Sequence, residues 1–300
     1  MDMLNYDDVK NKKPTFISMT SLTKEEFEIL YEKFKDALDD YNNEKGYDSS
    51  KGGRKSKLKT DEDKLLFILN YMKSYPLQEE IGCLFGISQS QANYWIHELT
   101  AVLNLMLLNS EYAPKRTPKE LVDKLKEENL PDLSIDGSER RINRPKNKEE
   151  QKKKYSGKKK THTVKNNIIV GNDDREVKYL GETHEGKKHD KKICDEEKIT
   201  CPKGSNLYGD TAFIGLEMED VNIIIPKKKP IGKELTEAEK ENNKSISSVR
   251  VIVENVISGI KRCRIVKDVF RNTKLHFDDL VMFLACGLHN FRNHQRHQSY

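Results

Sequence analysis

The stretch Arg250-Val-Ile-Val-Glu254-Asn-Val-Ile-Ser-Gly-Ile-Lys261 decides how the second half of this chain is read. Its apolar residues Val251, Val253, Ile257 and Ile260 are spaced as in a helix. Arg250, Glu254 and Lys261 fall at steps of four and seven, which puts them on one helical face. Taken alone, a carboxylate between two cations is most simply a solvated ion-pair stripe. Two upstream aspartates change that reading. Asp136 lies in Leu133-Ser-Ile-Asp136-Gly-Ser-Glu139, a short strand ending at a glycine. Asp210 lies in Asn206-Leu-Tyr-Gly-Asp210-Thr-Ala-Phe213, a second strand ending in the same way. Two strand-end aspartates and a helical glutamate form a ligand set for a pair of Mg2+ or Mn2+ ions, which prefer hard oxygen ligands.

These segments resemble the DDE transposases of the bacterial insertion-sequence type. The similarity is to the branch of DDE superfamily endonucleases with its own helix-turn-helix, insertion-sequence family five and its relatives. The signature around the third acid there is Tyr-x2-Arg-x3-Glu-x6-Lys, and Arg250, Glu254 and Lys261 match it. Ser247 stands at the tyrosine position. Tyr155-Ser-Gly-Lys-Lys-Lys-Thr-His-Thr-Val-Lys165, Gly209-Asp-Thr-Ala-Phe-Ile-Gly215 and Pro226-Lys-Lys-Lys-Pro230 extend the resemblance, which covers residues 22–296. It implies that Asp136, Asp210 and Glu254 are the catalytic, metal-binding acids. Asp136 would be shared by both ions, with Asp210 on one and Glu254 on the other. Arg250 and Lys261 would meet DNA phosphates or tune Glu254, and His189 would lie near the site. The same site would then use a freed 3′-hydroxyl to attack target DNA, with no covalent enzyme intermediate.

Composition sets the outer bounds. Three hundred residues allow one large domain or two modest ones, and 34% charged residues against 35% hydrophobic make a polar chain. The net charge of +5 says less than its distribution: between Glu139 and Lys165 there are 12 Lys/Arg and 3 Glu, whereas the first 50 residues are acid-rich. Five cysteines, with no C-x-x-C pair, fit free thiols in a reducing compartment. The acidic start has no secretory pattern, and the longest apolar run, near Leu280 to Leu288, is too short to span a membrane. A cytoplasmic, nucleoid-associated protein is expected.

Residues 1–20 read as a flexible tail. Thr23 and Glu26 have the spacing of a capping box, and Phe27, Leu30, Tyr31, Phe34 and Leu38 continue as a helix. A polar loop spans residues 41–57, and a second helix follows Thr60. Residues 78–97 fit a helix-turn-helix, with Ile81, Gly82, Gly86, Ile87, Ala92 and Trp95 at the packing and turn positions. That leaves Gln89, Gln91, Asn93, Tyr94 and His97 to face outward, and amide side chains there can read adenine edges in a major groove. A helical hairpin that touches no DNA would match the same pattern.

After Pro131 the period changes. Strands are expected over 133–137, 160–170, 177–181, 207–210 and 221–225, with helices over 189–199, 237–265 and 274–294. This is the element order of an RNase H-like fold. The predicted class is therefore α+β: a helical helix-turn-helix domain over 21–128, then an RNase H-like α/β catalytic domain over 129–300. Asp136 and Asp210 should sit on adjacent strands, with Glu254 over the same end. Sharing two ions requires the carboxylates to come within roughly 4–8 Å, and like charges so close should raise at least one pKa.

The lysine run Lys152, Lys153, Lys154, Lys158, Lys159 and Lys160 is either a solvated surface or a track for a polyanion leading to the acids. The leading expectation is a transposase that binds the terminal inverted repeats of its own element, cleaves them with metal, and joins them to target DNA. Double-stranded DNA is the partner, a homo-oligomer on DNA is expected, and no membrane is involved. The alternatives are a domesticated or inactive helix-turn-helix DNA-binding protein, and an RNase H-like nuclease without strand transfer.

Overall fold

The computed structural model describes residues 3–46 and 56–297; residues 1–2 of the expected tail and most of the expected 41–57 loop lie outside the described residues. Residues 3–20 are not a tail. They fold into α1 (Tyr6–Val9) and α2 (Lys13–Thr20). Val9 and Phe16 are buried, Tyr6 stacks on Phe27, and the Tyr6 N–H donates to Asp63 Oδ1 at 2.8 Å. Two such short helices carry too few turns to display a period, which is why the sequence reads as irregular.

α3 (Lys24–Glu44) starts at the expected capping box, with the Glu26 N–H on Thr23 Oγ1 at 3.2 Å and the Thr23 N–H on Glu26 Oε2 at 2.8 Å. α4 (Asp61–Ser74) is buried nearly all round. α5 (Gln78–Leu84) and α6 (Gln89–Leu108) form the helix-turn-helix; Gly86 has φ +65°, the left-handed turn that a side chain would strain. α7 (Pro118–Glu128) leads into the sheet.

The sheet comprises β1 (Asp132–Arg141), β2 (Tyr155–Ser156), β3 (Thr161–Gly171), β4 (Val177–Leu180), β5 (His184–Glu185), β6 (Asn206–Tyr208) and β7 (Asn222–Ile224). Its order is β2-β3-β1-β6-β7, with β4 and β5 also paired to β3. β1 runs antiparallel to β3 and parallel to β6, and β6 parallel to β7, so the sheet is mixed, as expected. α8 (Lys148–Lys154) interrupts the lysine run, and α9 (Asp190–Glu197) precedes β6. α10 (Glu237–Ile260) and α11 (Phe277–His297) complete the chain.

Paired residues of an antiparallel ladder share a face. Asp136, Ser138 and Arg140 therefore lie with their partners Ile168, Asn166 and Val164. Ile168 and Val170 belong to the core that also holds Val253, Val256 and Ile257 of α10. The opposite face buries Leu133, Ile135 and Ile169 with Leu121, Leu125, Cys194 and Leu207.

The helix-turn-helix is expected to be a separate unit, and in the structure its buried residues are continuous with those of the sheet domain. A single core runs from Phe27 and Leu30 through α4 and α6 to Ile168, Val253 and Phe291. α11 joins the two halves, since Val281, Leu284, Leu288 and Phe291 are all buried. A Cβ on Gly287 would fall 2.6 Å from Leu107 Cδ1, so the missing side chain lets α11 approach α6 closely.

Candidate active site and DNA surface

β1 and β6 present the two aspartates at one level. Ser134 pairs with Tyr208 in the parallel ladder, and Asp136 and Asp210 each stand two residues further along. Each carboxylate is oriented by backbone: Asp136 Oδ1 accepts from the Gly137 N–H, and Asp210 Oδ1 accepts from the Ala212 N–H, both at 2.7 Å. Asp210 thereby caps the short 3-10 turn Thr211–Phe213. Burial pushes the Asp136 carboxyl up to about 6; the Gly137 N–H opposes this, the Asp210 charge adds to it, and Arg250 and then Asp190 act with smaller weight in opposite senses. The expected raised carboxyl is present, although desolvation outweighs repulsion as its cause.

Arg250 on α10 and Lys261, the residue that caps its C-terminus, both interact electrostatically with this site. Arg250 lowers the Asp136 pKa, while Asp136 raises that of Lys261, which burial and then Lys159 pull down. Glu254 lies between them on the same stripe. Its side chain is 58% exposed, and its nearest ionic partner is Arg250, Oε1 to Nη2 3.8 Å. The expected convergence of three carboxylates is not formed: among the described residues no three His, Cys, Asp or Glu side chains are grouped to hold a metal ion. Three uncompensated carboxylates repel one another, and Glu254 is solvated beside Arg250 instead. His189 is the N-cap residue of α9. Asp190, the next residue, pairs with the buried Lys165 at 3.0 Å and also bears on Asp136, which the sequence reading did not anticipate.

The lysines divide into two groups. Lys152 and Lys154 pair with Glu149 and Glu150 along α8, at 3.0 and 3.1 Å, and Lys153 is exposed beside them. Lys158, Lys159 and Lys160 are exposed in the β2–β3 turn. Because Lys159 depresses the pKa of Lys261, this turn borders the aspartate site.

On the helix-turn-helix, the expected outward residues have partners. Gln78 Nε2 donates to Asn93 Oδ1 at 2.8 Å, and Gln89 Nε2 donates to Gln78 Oε1, so one α5 glutamine holds both candidate base readers. Gln78 was missed because its role appears only when α5 crosses α6. Gln91 Oε1 accepts the Ser88 N–H at 3.1 Å and so helps cap α6. Tyr94 is 45% exposed, edge-on to Trp95. His97 does not face outward freely. Its ring meets Phe277 of α11 edge-on at 4.9 Å, an interface that the assumption of separate domains could not foresee.

Comparison with known proteins agrees with this architecture. The family described as DDE superfamily endonuclease matches residues 135–290, and the helix-turn-helix of DDE superfamily endonuclease matches residues 56–108. The chain is 28% identical over 241 residues to a probable transposase for insertion sequence element IS702 from Microchaete diplosiphon, covering 80% of this chain and 83% of the relative. It is 26% identical over 225 residues to a candidate transposase for insertion sequence element IS112 from Streptomyces albus G, covering 74% and 77%. No solved structure matches significantly. No described helix is long and apolar enough to cross a membrane. With Asp136, β6 and α10 all inside the matched span, and a helix-turn-helix ahead of them, this chain belongs to the DDE superfamily endonucleases.

Proposed function

We propose that this endonuclease is an insertion-sequence transposase. It binds the terminal inverted repeats of its own element through α5 and α6, cleaves at Asp136, Asp210 and Glu254, and joins the freed ends to target DNA, working as a homo-oligomer on DNA. The observation that carries the reading is the placement of Asp136 on β1 and Asp210 just past β6, each two residues beyond a pair of the parallel ladder, on a sheet whose Ile168 packs with Val253 and Ile257 of the helix bearing Glu254. The names of the two relatives support the same reading.

The donor set fits a divalent cation. Two carboxylates, each with one oxygen held by a backbone N–H, keep their other oxygens for a ligand, and burial raises the pKa of Asp136, with the Asp210 charge adding to it. Asp136 and Asp210 would hold Mg2+ or Mn2+, with Glu254 turning from solvent to complete a second position. Such ions supply Lewis acidity to the attacking and leaving oxygens of a phosphodiester. Arg250 and Lys261 place positive charge beside the acids, where a scissile phosphate would lie, and Lys158, Lys159 and Lys160 bind the flanking backbone.

The test uses purified protein, Mg2+, a plasmid carrying the DNA that flanks the coding region, and a second plasmid as target. Junction sequencing should find the flanking inverted repeats cut and joined to the target. Cutting without joining would replace the transposase by a nuclease, and binding without cutting would leave a DNA-binding protein.

A further inference from the structure

The loop that leads from α10 into α11 lies against the helix-turn-helix and is arranged for more than connection. A cleft of about 580 Å3 separates α5 and α6 from residues 271–274; Gln78, Gln89 and Asn93 line one wall, and Asn272, Thr273 and Lys274 the other. Lys274 is exposed and has no carboxylate partner among the described residues. Its charge reaches α6, where it helps depress the pKa of His97 after burial has done most of it. The Nδ1 of His97, which also lines the cleft, is buried with no hydrogen-bond partner.

The loop is held in place before any ligand arrives. Arg271 donates to the carbonyls of Tyr75 and Pro76, its backbone N–H donates to the Tyr75 hydroxyl at 2.7 Å, and its guanidinium lies 4.2 Å from the Tyr75 ring centre. The Lys274 N–H closes a tight turn on Asn272 Oδ1 at 2.8 Å. Residues 271–274 also line a second cleft, of about 1210 Å3, which contains Arg144, Lys146 and Lys154 of the basic run together with Glu150, Glu182, Glu185, Asp278 and Asp279, of which Glu150 pairs with Lys154 and Asp279 with Arg116. A phosphate backbone lying against Lys274 would therefore be continuous with that run.

We propose that Asn272-Thr273-Lys274 is a second DNA-contacting element, gripping the same duplex that α6 reads, so that the DNA-binding surface is composite rather than a property of the helix-turn-helix alone. This rests on the DNA-binding reading above. Lys274 supplies a phosphate contact, and the fixed loop loses little freedom on binding, which favours affinity.

The test is fluorescence anisotropy with a labelled random-sequence duplex and with duplexes that the wild-type protein enriches from a randomised library, over about 50–200 mM salt. Lys274→Ala should weaken binding to both, and should reduce the slope of log affinity against log salt by about 0.9, the loss of one phosphate contact. Lys274→Arg should restore the slope. Lys203→Ala, which removes the partner of Asp220 beside the far edge of the sheet, should leave it unchanged. A wild-type slope and affinity for Lys274→Ala, with duplex binding otherwise intact, overturns the composite surface and leaves the helix-turn-helix reading standing. Failure of the wild-type protein to bind any duplex overturns both.

Discussion

Asp136 on β1 and Asp210, just past the end of β6, each stand two residues beyond the Ser134–Tyr208 pair, and the charge of Asp210 adds to the burial that lifts the Asp136 carboxyl to about 6. A carboxyl raised in the folded state binds its proton more tightly there than in the unfolded chain. Its stability contribution is therefore full at low pH and is lost as pH rises from the unfolded value near 4 through about 6. Without metal at pH 7–8, Asp136→Asn should be more stable than wild type by about 1–2 kcal/mol, and the two should converge near pH 4. Added Mg2+ should stabilise the wild type and not the variant. Urea denaturation in EDTA and in Mg2+ checks this; a variant less stable than wild type at neutral pH would contradict it.

The continuous core predicts cooperative unfolding. Trp95 packs against the core from the helix-turn-helix, and that core extends into the sheet and α11. Trp95 fluorescence and far-ultraviolet circular dichroism should give coincident denaturation curves. Leu284→Ala, at a fully buried position of α11, should shift both by about 2–5 kcal/mol. Separate transitions would show that the two halves fold independently.

Much of the fold was legible because its elements carry strong local signals. The Thr23–Glu26 box, the Gly86 turn and the apolar stripe of α10 each follow from a few neighbouring residues. Asp136 reads in the sequence as a strand-end acid, but β1 continues past it to Arg141 because β3 pairs with it over that whole length; Asp210 does stand just past the end of β6. What escaped depends on contacts distant in sequence. α1 and α2 exist because Val9 and Phe16 find a core supplied by α3 and α4, and α8 appears within a charge run that offers no apolar face. His97 was assigned to the outside because Phe277, 180 residues later, could not be placed against it. The spacing puts Glu254 on one stripe with Arg250, its ionic partner, yet a helical period does not determine whether a side chain turns to solvent or to a neighbouring acid.

The amide chain Gln89–Gln78–Asn93 predicts an indirect effect on recognition. Gln78→Ala frees both partners to change rotamer and should reduce discrimination between terminal-repeat and random duplex about as much as Asn93→Ala, roughly 1–3 kcal/mol. Neutralising Lys158, Lys159 and Lys160 should instead weaken all duplexes alike and flatten the salt dependence. Competition binding separates these outcomes; unchanged discrimination in Gln78→Ala would exclude the relay.

His289 predicts acid sensitivity remote from the acids. Burial, with Arg292 adding to it, brings its pKa down to about 4, while the neutral ring donates from Nε2 to the Arg175 carbonyl at 3.2 Å. A depressed histidine contributes fully above the unfolded value near 6.5, and that contribution is lost as pH falls through about 4. The ring keeps some solvent contact, so the loss should be about 2 kcal/mol. Equilibrium denaturation from pH 7 to 4 should be flatter for His289→Gln; an identical slope would contradict the assignment.

The most direct test of the catalytic claim is cleavage of a terminal-repeat duplex in Mg2+ by Asp136→Asn, Asp210→Asn and Glu254→Gln, with binding of the same duplex measured in parallel. Each variant should bind as the wild type does and lose cleavage by at least about a thousandfold, since each removes a carboxylate assigned to the metal site. Near-normal cleavage by either aspartate variant would contradict the site, and near-normal cleavage by Glu254→Gln would show that α10 does not complete it.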